Sequence, residues 1–546
     1  MSKYSIGVDY GTNSVRALLV DVSNGFELAS SVYNYPTGDA GVLYDDRDPN
    51  LARQNAADYV EGFFATVNEV MRGIAPHDVV GIGVDTTGSS PIPVDKQGLP
   101  LSFDPKFKDN LAAYTWLWKD HTSHAEAAEI TEKAREQNQP YLAKCGGTYS
   151  SEWFWSKILH CARVAPEVFE AAYSWVEFAD WVPAFLSGNT DPLTLKRGVC
   201  AAGHKAMYSD EWGGLPSAEF LATLDPRLVD LRTRLYSEAV PSDQAAGYLS
   251  QEVAERAGLP IGLPVAVGAF DAHFGAVASG AKKGTLVKII GTSTCDCMVH
   301  PLDEPLADVP GLCGIVKGSV IPGMYGLEAG QSAVGDIFNW FVSELGTAGH
   351  EALTEEASKQ KAGESGLIAL DWENGNRTIL VDPLLTGAII GLTLHTTPAE
   401  IYRALVEATA FGALKIINRL EEYGVKVDEV VNCGGIAEKN PFVMQIYADV
   451  CNRPMKVSRS AQTCALGSAI FGSVVGGAHA SVGEAQQAMT GIKDRIYEPN
   501  PEAVATYAEL FALYSDLHDA LGTKSWSGNL GHVMKDLIGI RDAARK

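Results

Sequence analysis

Three aspartates in this chain each close a short apolar run and open a turn or a run of small residues. Asp9 ends IGVD ahead of YGTNS, Asp85 ends VVGIGVD ahead of TTGSS, and Asp271 follows LPVAVGAF ahead of AHFGAVASGA. Carboxylates at strand ends lie along the edge of an open α/β sheet where ligands gather. Asp9 is placed to hold a cation beside the donors of its turn. Asp271 stands at a strand-to-helix junction facing the same cleft, where a carboxylate can take the proton of an attacking hydroxyl. One carboxylate on a metal ion and one on an acceptor hydroxyl is the set that phosphorylation of an alcohol requires. Each residue also has a plainer reading, because Asp is a preferred helix cap and turn former.

The element that must position Asp9 reads as a hairpin from Ile6 to Asp21, with a polar tip between two β-branched runs. Gly11 lets the backbone approach a ligand closely, and Thr12, Asn13 and Ser14 supply hydroxyls, an amide and turn N–H groups suited to phosphate oxygens. A second copy raises this above an ordinary turn. LVKIIGTSTCDCMV, from Leu286 to Val299, has the same layout around Gly291 and Thr292, and Thr292 lies 280 positions after Thr12 in a chain of 546 residues. A repeated device at half-length predicts two similar domains, 1–280 and 281–546, offering their hairpins to one cleft.

Composition bounds the remaining choices. The length exceeds a single core. A hydrophobic content of 46% and a net charge of −24 describe a soluble chain that repels nucleic acid and anionic membrane. An anionic ligand must therefore be held by local donors and metal ions. Nine cysteines without zinc or disulfide spacing read as reduced, mostly buried thiols. The chain enters a strand pattern without a charged-then-apolar leader and has no run of eighteen apolar residues. The expectation is a cytoplasmic protein.

Between the hairpins, Tyr35 to Asn50 reads as a loop and Asn55 to Met71 as a helix. The turn from Asp85 to Ser89 is a candidate ligand contact. Trp153, Trp155, Trp175 and Trp181 read as core. Trp118-Lys119-Asp120 suits a sugar, whose apolar face stacks on an indole while its hydroxyls meet charged groups. Lys205 sits in a short polar break, where it is either a solvated lysine or a ligand contact. Glu328 and Gly330 lie in a Gly-rich lead-in to a helix. Ile401 to Tyr423 is a long amphipathic helix. Asp428 to Val450 reads as strand, Gly434-Gly435 turn and helix, with room for a flat ring against the turn. Cys464 to Gly472 is a small-residue helix, and the tail from Pro499 is helical and peripheral.

In this order the stretches resemble the FGGY carbohydrate kinases, which share the actin/hexokinase/Hsp70 (ribonuclease H-like) α/β fold, two domains around a central ATP and sugar cleft. DYGTNS resembles the family's first phosphate motif, IGTST its second, CGGIAEKN its adenosine motif, and GAFDAHFGA the segment with its catalytic aspartate. YSSEWFWSKILH, ADWVPAFLSG, LWKDHT and GLEAGQSAVGDIF are similar to the branch acting on L-ribulose. The resemblance implies ATP- and Mg²⁺-dependent phosphorylation of a ketopentose, with Asp271 as general base and Asp9 positioning Mg²⁺. Gly11, Thr12, Asn13, Gly291, Thr292, Gly330, Gly434, Gly435 and Asn440 would hold the nucleotide. Lys205, Glu328 and Trp118 would contact the sugar, with Asp85 and Ser89 lining the pocket. It also implies a homodimer. Where other members carry an Arg after Trp-x-Asp, this chain has His121 and Thr122. That departure weakens any transfer from xylulokinases or glycerol kinases. D-ribulose and the xyluloses stay open as acceptors, because stereoisomers differ only in hydroxyl direction and the sequence does not show where Lys205 and Glu328 point. An actin-like ATPase without sugar transfer would share the hairpins, but needs no carboxylate such as Asp271 beside a Trp/Lys/Glu pocket.

Overall fold

A computed structural model describes residues 3–345 and 348–546. Two mixed sheets carry the two hairpins. The first contains β1 (Tyr4–Tyr10), β2 (Ser14–Asp21), β3 (Glu27–Asn34), β4 (Val79–Thr86), β5 (Ala245–Tyr248), β6 (Pro264–Ala266) and β7 (Ala269–Phe270). Their order is β5-β6-β4-β1-β2-β3, with β7 also pairing β4. The second contains β8 (Thr285–Ile290), β9 (Thr294–Pro301), β10 (Gly314–Lys317), β11 (Met324–Ala329), β12 (Glu429–Cys433) and β13 (Met455–Val457), in the order β10-β11-β9-β8-β12-β13.

Each sheet is built outward from its hairpin in the same way. β1 pairs antiparallel with β2 and parallel with β4, while β8 pairs antiparallel with β9 and parallel with β12. The β-branched residues Ile6, Val8, Val15 and Val20 are fully buried, as are Val287 and Ile290. Both central strands are thus covered on two faces, as parallel pairing requires.

The helices that matter for the site are α1 (Ala56–Val70), α2 (Val199–Lys205), α3 (Asp271–Ala278), α4 (Pro398–Glu422), α5 (Gly435–Lys439), α6 (Pro441–Cys451), α7 (Thr463–Val475) and α8 (Pro501–Gly522). Asn55 caps α1 by accepting from the Ala57 N–H, and Thr397 with Glu400 forms a capping box that starts α4.

α7 belongs to the second half of the sequence but lies on the first sheet. Its small residues and three sheet glycines make this contact possible. A Cβ on Gly7 would stand 1.8 Å from the Ala465 carbonyl oxygen, one on Gly83 1.9 Å from that of Ser468, and one on Gly81 2.1 Å from that of Gly472. On the other side of α7, a Cβ on Gly467 would meet the Phe274 carbonyl of α3 at 2.0 Å. α7 is therefore wedged between the β1/β4 surface and the helix that begins with Asp271.

Several expectations need correction. The stretch Tyr35 to Asn50 contains paired strands, Leu43–Asp45 against Asp48–Gln54, not only loop. Leu263 to Phe270 is broken into β6 and β7. Glu328 sits on β11, because its segment continues the sheet before any helix begins. Lys205 ends a helix and is buried, not solvated. The C-terminal tail is not peripheral: Tyr507, Leu510, Tyr514 and Leu517 of α8 enter the core of the second half. Trp153, Trp155, Trp175 and Trp181 are buried as expected.

Candidate active site

Pairing register brings the three aspartates together. Asp9 of β1 lies beside Asp85 of β4, and Asp85 in turn pairs with Ala269 of β7, two residues before Asp271. Asp85 is fully buried, and its Oδ2 accepts from Ser468 Oγ of α7 at 2.6 Å. Its Oδ1 is buried without a hydrogen-bond partner among the described residues. Arg16, opposite Asp9 across the hairpin, reaches it only at 3.8 Å.

Three carboxyls so close resist ionising together. Burial raises Asp9 above the usual carboxylate range, opposed by Arg16. Burial and the Asp9 charge push Asp85 well up. Burial, then Asp9, push Asp271 to about 7. Asp271 accepts from the Ala272 N–H at 2.6 Å at the start of α3. An unpartnered carboxylate oxygen within an acidic group of this kind fits a hard divalent cation, which takes oxygen ligands and relieves the repulsion.

The hairpin tips are the more exposed parts of the site. In the first, the Gly11 N–H closes on the Ser14 carbonyl at 2.9 Å, and Asn13 Nδ2 donates to the Ala40 carbonyl at 2.6 Å. Trp118 Nε1 donates to Thr12 Oγ1 at 3.0 Å. Trp118 is thereby tied to the phosphate-type loop as well as to the expected sugar side. In the second tip, the Gly291 N–H meets the Ser293 carbonyl at 2.9 Å, and the Thr292 carbonyl accepts from the N–H groups of Val334 and Asp336 at 2.8 and 3.1 Å.

The Gly434-Gly435 turn abuts the end of β8. Gly434 adopts φ +93°, where a Cβ would stand 2.4 Å from the Ile290 carbonyl oxygen, while the space at Gly435 is open. Asn440 caps α6 by accepting from the Val443 N–H at 3.2 Å. Gly330 gives its N–H to Thr378 Oγ1 at 3.0 Å, and a Cβ there would lie 2.2 Å from the Thr294 carbonyl oxygen. It serves close packing beside the second tip.

Across from Asp271, Lys205 Nζ grips Glu328 at 2.9 and 3.2 Å. Burial would raise the Glu328 carboxyl, but the Lys205 ammonium leads the opposing charges that hold it well below the usual range. The ammonium also sits 5.3 Å from the Trp153 ring and 5.7 Å from that of Phe270. His204 and His273 face the same carboxylate at 3.2 and 3.5 Å.

Two expected pocket residues are spoken for elsewhere. Ser89 is fully buried with its hydroxyl on Glu177, so it backs the pocket instead of lining it. Asp120 is also buried, paired to Arg53 and accepting from the Ala52 N–H at 2.8 Å, so Trp118 stands without its charged neighbour in the cleft. Sequence reading gave Ser468 no part, and nothing in its local pattern marks it. His204 and His273 were within reach of a reader, since they adjoin Lys205 and follow Asp271 by two.

Known proteins place this arrangement in a family. The N-terminal domain model of the FGGY family of carbohydrate kinases matches residues 4–278, and the C-terminal domain model matches 286–475. The chain belongs to the FGGY family of carbohydrate kinases. Like the family, it is a sugar kinase with ATP as phosphate donor. It is 42% identical over 541 residues to a ribulokinase of Vibrio parahaemolyticus, covering 94% of this chain and 95% of that one. A ribulokinase of Halalkalibacterium halodurans is 43% identical over 549 residues, covering 95% of each. Among solved FGGY-type folds, a xylulose kinase from Rhodospirillum rubrum superposes with a TM-score of 0.79 at 22% identity, over 95% of this chain and 99% of that one. A gluconate kinase from Lactobacillus acidophilus gives 0.79 at 20% identity, over 96% and 99%. The fold is thus the two-domain FGGY fold. Among the described residues no helix is long and apolar enough to cross a membrane.

Proposed function

We propose that this FGGY kinase phosphorylates a 2-ketopentose, with L-ribulose as preferred acceptor and L-ribulose 5-phosphate as product, in cytoplasmic breakdown of L-arabinose. The observation that carries the substrate assignment is the likeness, over nearly the full length of both chains, to proteins named ribulokinase. The geometry supports the chemistry.

Asp271 is the base that takes the proton of the attacking hydroxyl. Its raised pKa of about 7 suits a group that must accept a proton near neutral pH. Asp9 would hold Mg²⁺, and Asp85, expected to line the sugar pocket but fully buried on Ser468 beside Asp9, would support the ion instead. When bound, that ion supplies neutralisation of phosphate charge. The Gly11–Ser14 and Gly291–Ser293 tips present their free donors to the phosphates, and Gly435 leaves room for the adenine ring. Lys205 and Glu328 orient the sugar through opposite charges on its hydroxyls, while Trp118 ties the nucleotide loop to the acceptor side. The barrier falls through this positioning, with little covalent work asked of the protein.

The decisive experiment is a coupled ADP-release assay with Mg-ATP against L-ribulose, D-ribulose, L-xylulose, D-xylulose, L-arabinose, glycerol and no sugar. The highest kcat/KM on L-ribulose with negligible turnover without sugar is the expected result. A better sister ketose would move the substrate and keep the mechanism. Turnover independent of every sugar would overturn the reading.

A further inference from the structure

Glu328 is gripped on one side by Lys205 and faced on the other by two imidazoles. His204 Nδ1 and His273 Nε2 lie 3.2 and 3.5 Å from Glu328 Oε2, and the two rings are 4.6 Å apart between centroids. Both histidines are 1% exposed. His204 is fixed from behind, with its Nε2 2.9 Å from Ser319 Oγ. With the Ser319 hydroxyl proton directed to the Val316 carbonyl at 3.1 Å, Ser319 accepts and His204 carries its proton on Nε2, a tautomer assigned from these heavy-atom distances. His204 Nδ1 therefore turns a bare lone pair toward a carboxylate oxygen. Among the described residues, neither it nor either nitrogen of His273 has a hydrogen-bond partner. Burial lowers both imidazoles, His273 to about 4, so both are neutral at pH 7.

Buried acceptors facing one another without a proton between them carry an unmet hydrogen-bonding demand. Two kinds of guest could meet it. The three ligand atoms lie within 4.8 Å of one another, a set that zinc can use. Against a dication stands Lys205, which already neutralises Glu328 and would share its carboxylate with the ion. A neutral hydroxyl has no such conflict, because it donates to one acceptor and accepts from the His273 N–H.

Resting on the sugar-kinase reading, we propose that one hydroxyl of the acceptor sugar, other than the one phosphorylated, seats between His204 Nδ1, His273 Nε2 and Glu328 Oε2. The histidine pair thereby sets stereochemical selectivity. The Glu328 and Lys205 charges both act on the Asp271 carboxyl, so these three acceptor atoms lie beside the acceptor part of the cleft. Inverting or deleting that hydroxyl leaves the buried acceptors unmet, which is how a polar site rejects a near-isostere.

The test is a substrate–mutant cycle. kcat/KM is measured for wild type, His273→Leu and His273→Gln with the preferred ketopentose and its 1-, 3- and 4-deoxy analogues. His273→Leu should lose about 10- to 100-fold on the full sugar, mainly through KM. Deoxygenation at one position should cost wild type a similar factor and cost His273→Leu nothing further. The other positions should stay additive, and His273→Gln, which keeps a donor, should recover part of the loss. Additive losses at every position would overturn the proposal. If His273→Leu does not fold, the His273→Gln cycle decides by the same criterion. A 1:1 visible absorption band from Co²⁺ added to the sugar-free enzyme, absent in His273→Gln, would give the gap to a cation and overturn it too. Wild type that accepts no ketopentose would remove the substrate reading alone, and the cycle is then run on the polyol it does accept. Wild type that accepts no polyol overturns both.

Discussion

The two hairpins are built alike and equipped differently. At matched positions counted back from the tip glycines, the first carries Asp9 paired with Asp85, where the second carries Ile289 paired with Cys433. The first tip spans four residues between the paired Tyr10 and Val15, and the second spans three between the paired Ile290 and Thr294. The charged pair of the second hairpin, Lys288 and Asp296, is buried at 2.8 Å and joined by Gln331 at 2.9 Å. It is satisfied internally. Asp9 of the first hairpin and its neighbour Asp85 have no such lysine between them, and their pKa values are raised. One half has kept the scaffold and filled it with packing, while the other has left charges unmet where a cation and an acceptor hydroxyl can meet them.

That contrast can be tested, beginning with the largest effect. Asp271→Asn should keep nucleotide binding but lower kcat by at least about 10²-fold, the scale of a lost general base; a near-normal kcat in stopped-time ADP assays would remove the assignment. The pH profile should follow the same group. Because Asp271 must be ionised to act and titrates at about 7, kcat/KM should fall about tenfold per pH unit below that value and level off above it. Gly83→Ala, which drives a methyl into the Ser468 carbonyl, should cost about 1–3 kcal/mol in denaturant unfolding. Trp118→Phe, which removes the bond to Thr12, should raise KM for ATP about fivefold, the worth of about 1 kcal/mol. A value unchanged from wild type would show the tie to be idle.

The smallest effect tests the unmet charge itself. A carboxyl whose folded pKa is raised loses native stability as pH climbs through that pKa. Asp85→Asn should therefore raise the melting temperature of the metal-free enzyme at pH 8 by about 2 °C, and by less at pH 5. A lowered melting temperature at pH 8 would mean that the Asp85 charge is already compensated.

Much of this was legible in the chain because local pattern encodes it. The hairpins, the Val79–Thr86 strand and the helix begun by Asn55 follow from β-branched runs, turn residues and a cap. The resemblance brought Lys205 and Glu328 to one pocket, but their direct ion pair was not legible, because 123 residues separate them and neither stretch signals burial. Ser89 and Asp120 were misplaced for a related reason. A polar residue beside a turn or a Trp reads as available, and only the fold shows that Glu177 and Arg53 have claimed it. Gly7, Gly81 and Gly83 read as ordinary strand residues, although they form the groove that receives α7.

That groove bears on the order in which the chain is made. Residues 4–278 emerge from the ribosome first, yet the surface of β1 and β4 stays uncovered until Thr463–Val475 follow. Ser468, which holds Asp85, arrives with them. The acidic cleft is thus completed by a helix made well after the sheet it covers. A protein truncated before α7 would present a bare glycine-lined sheet.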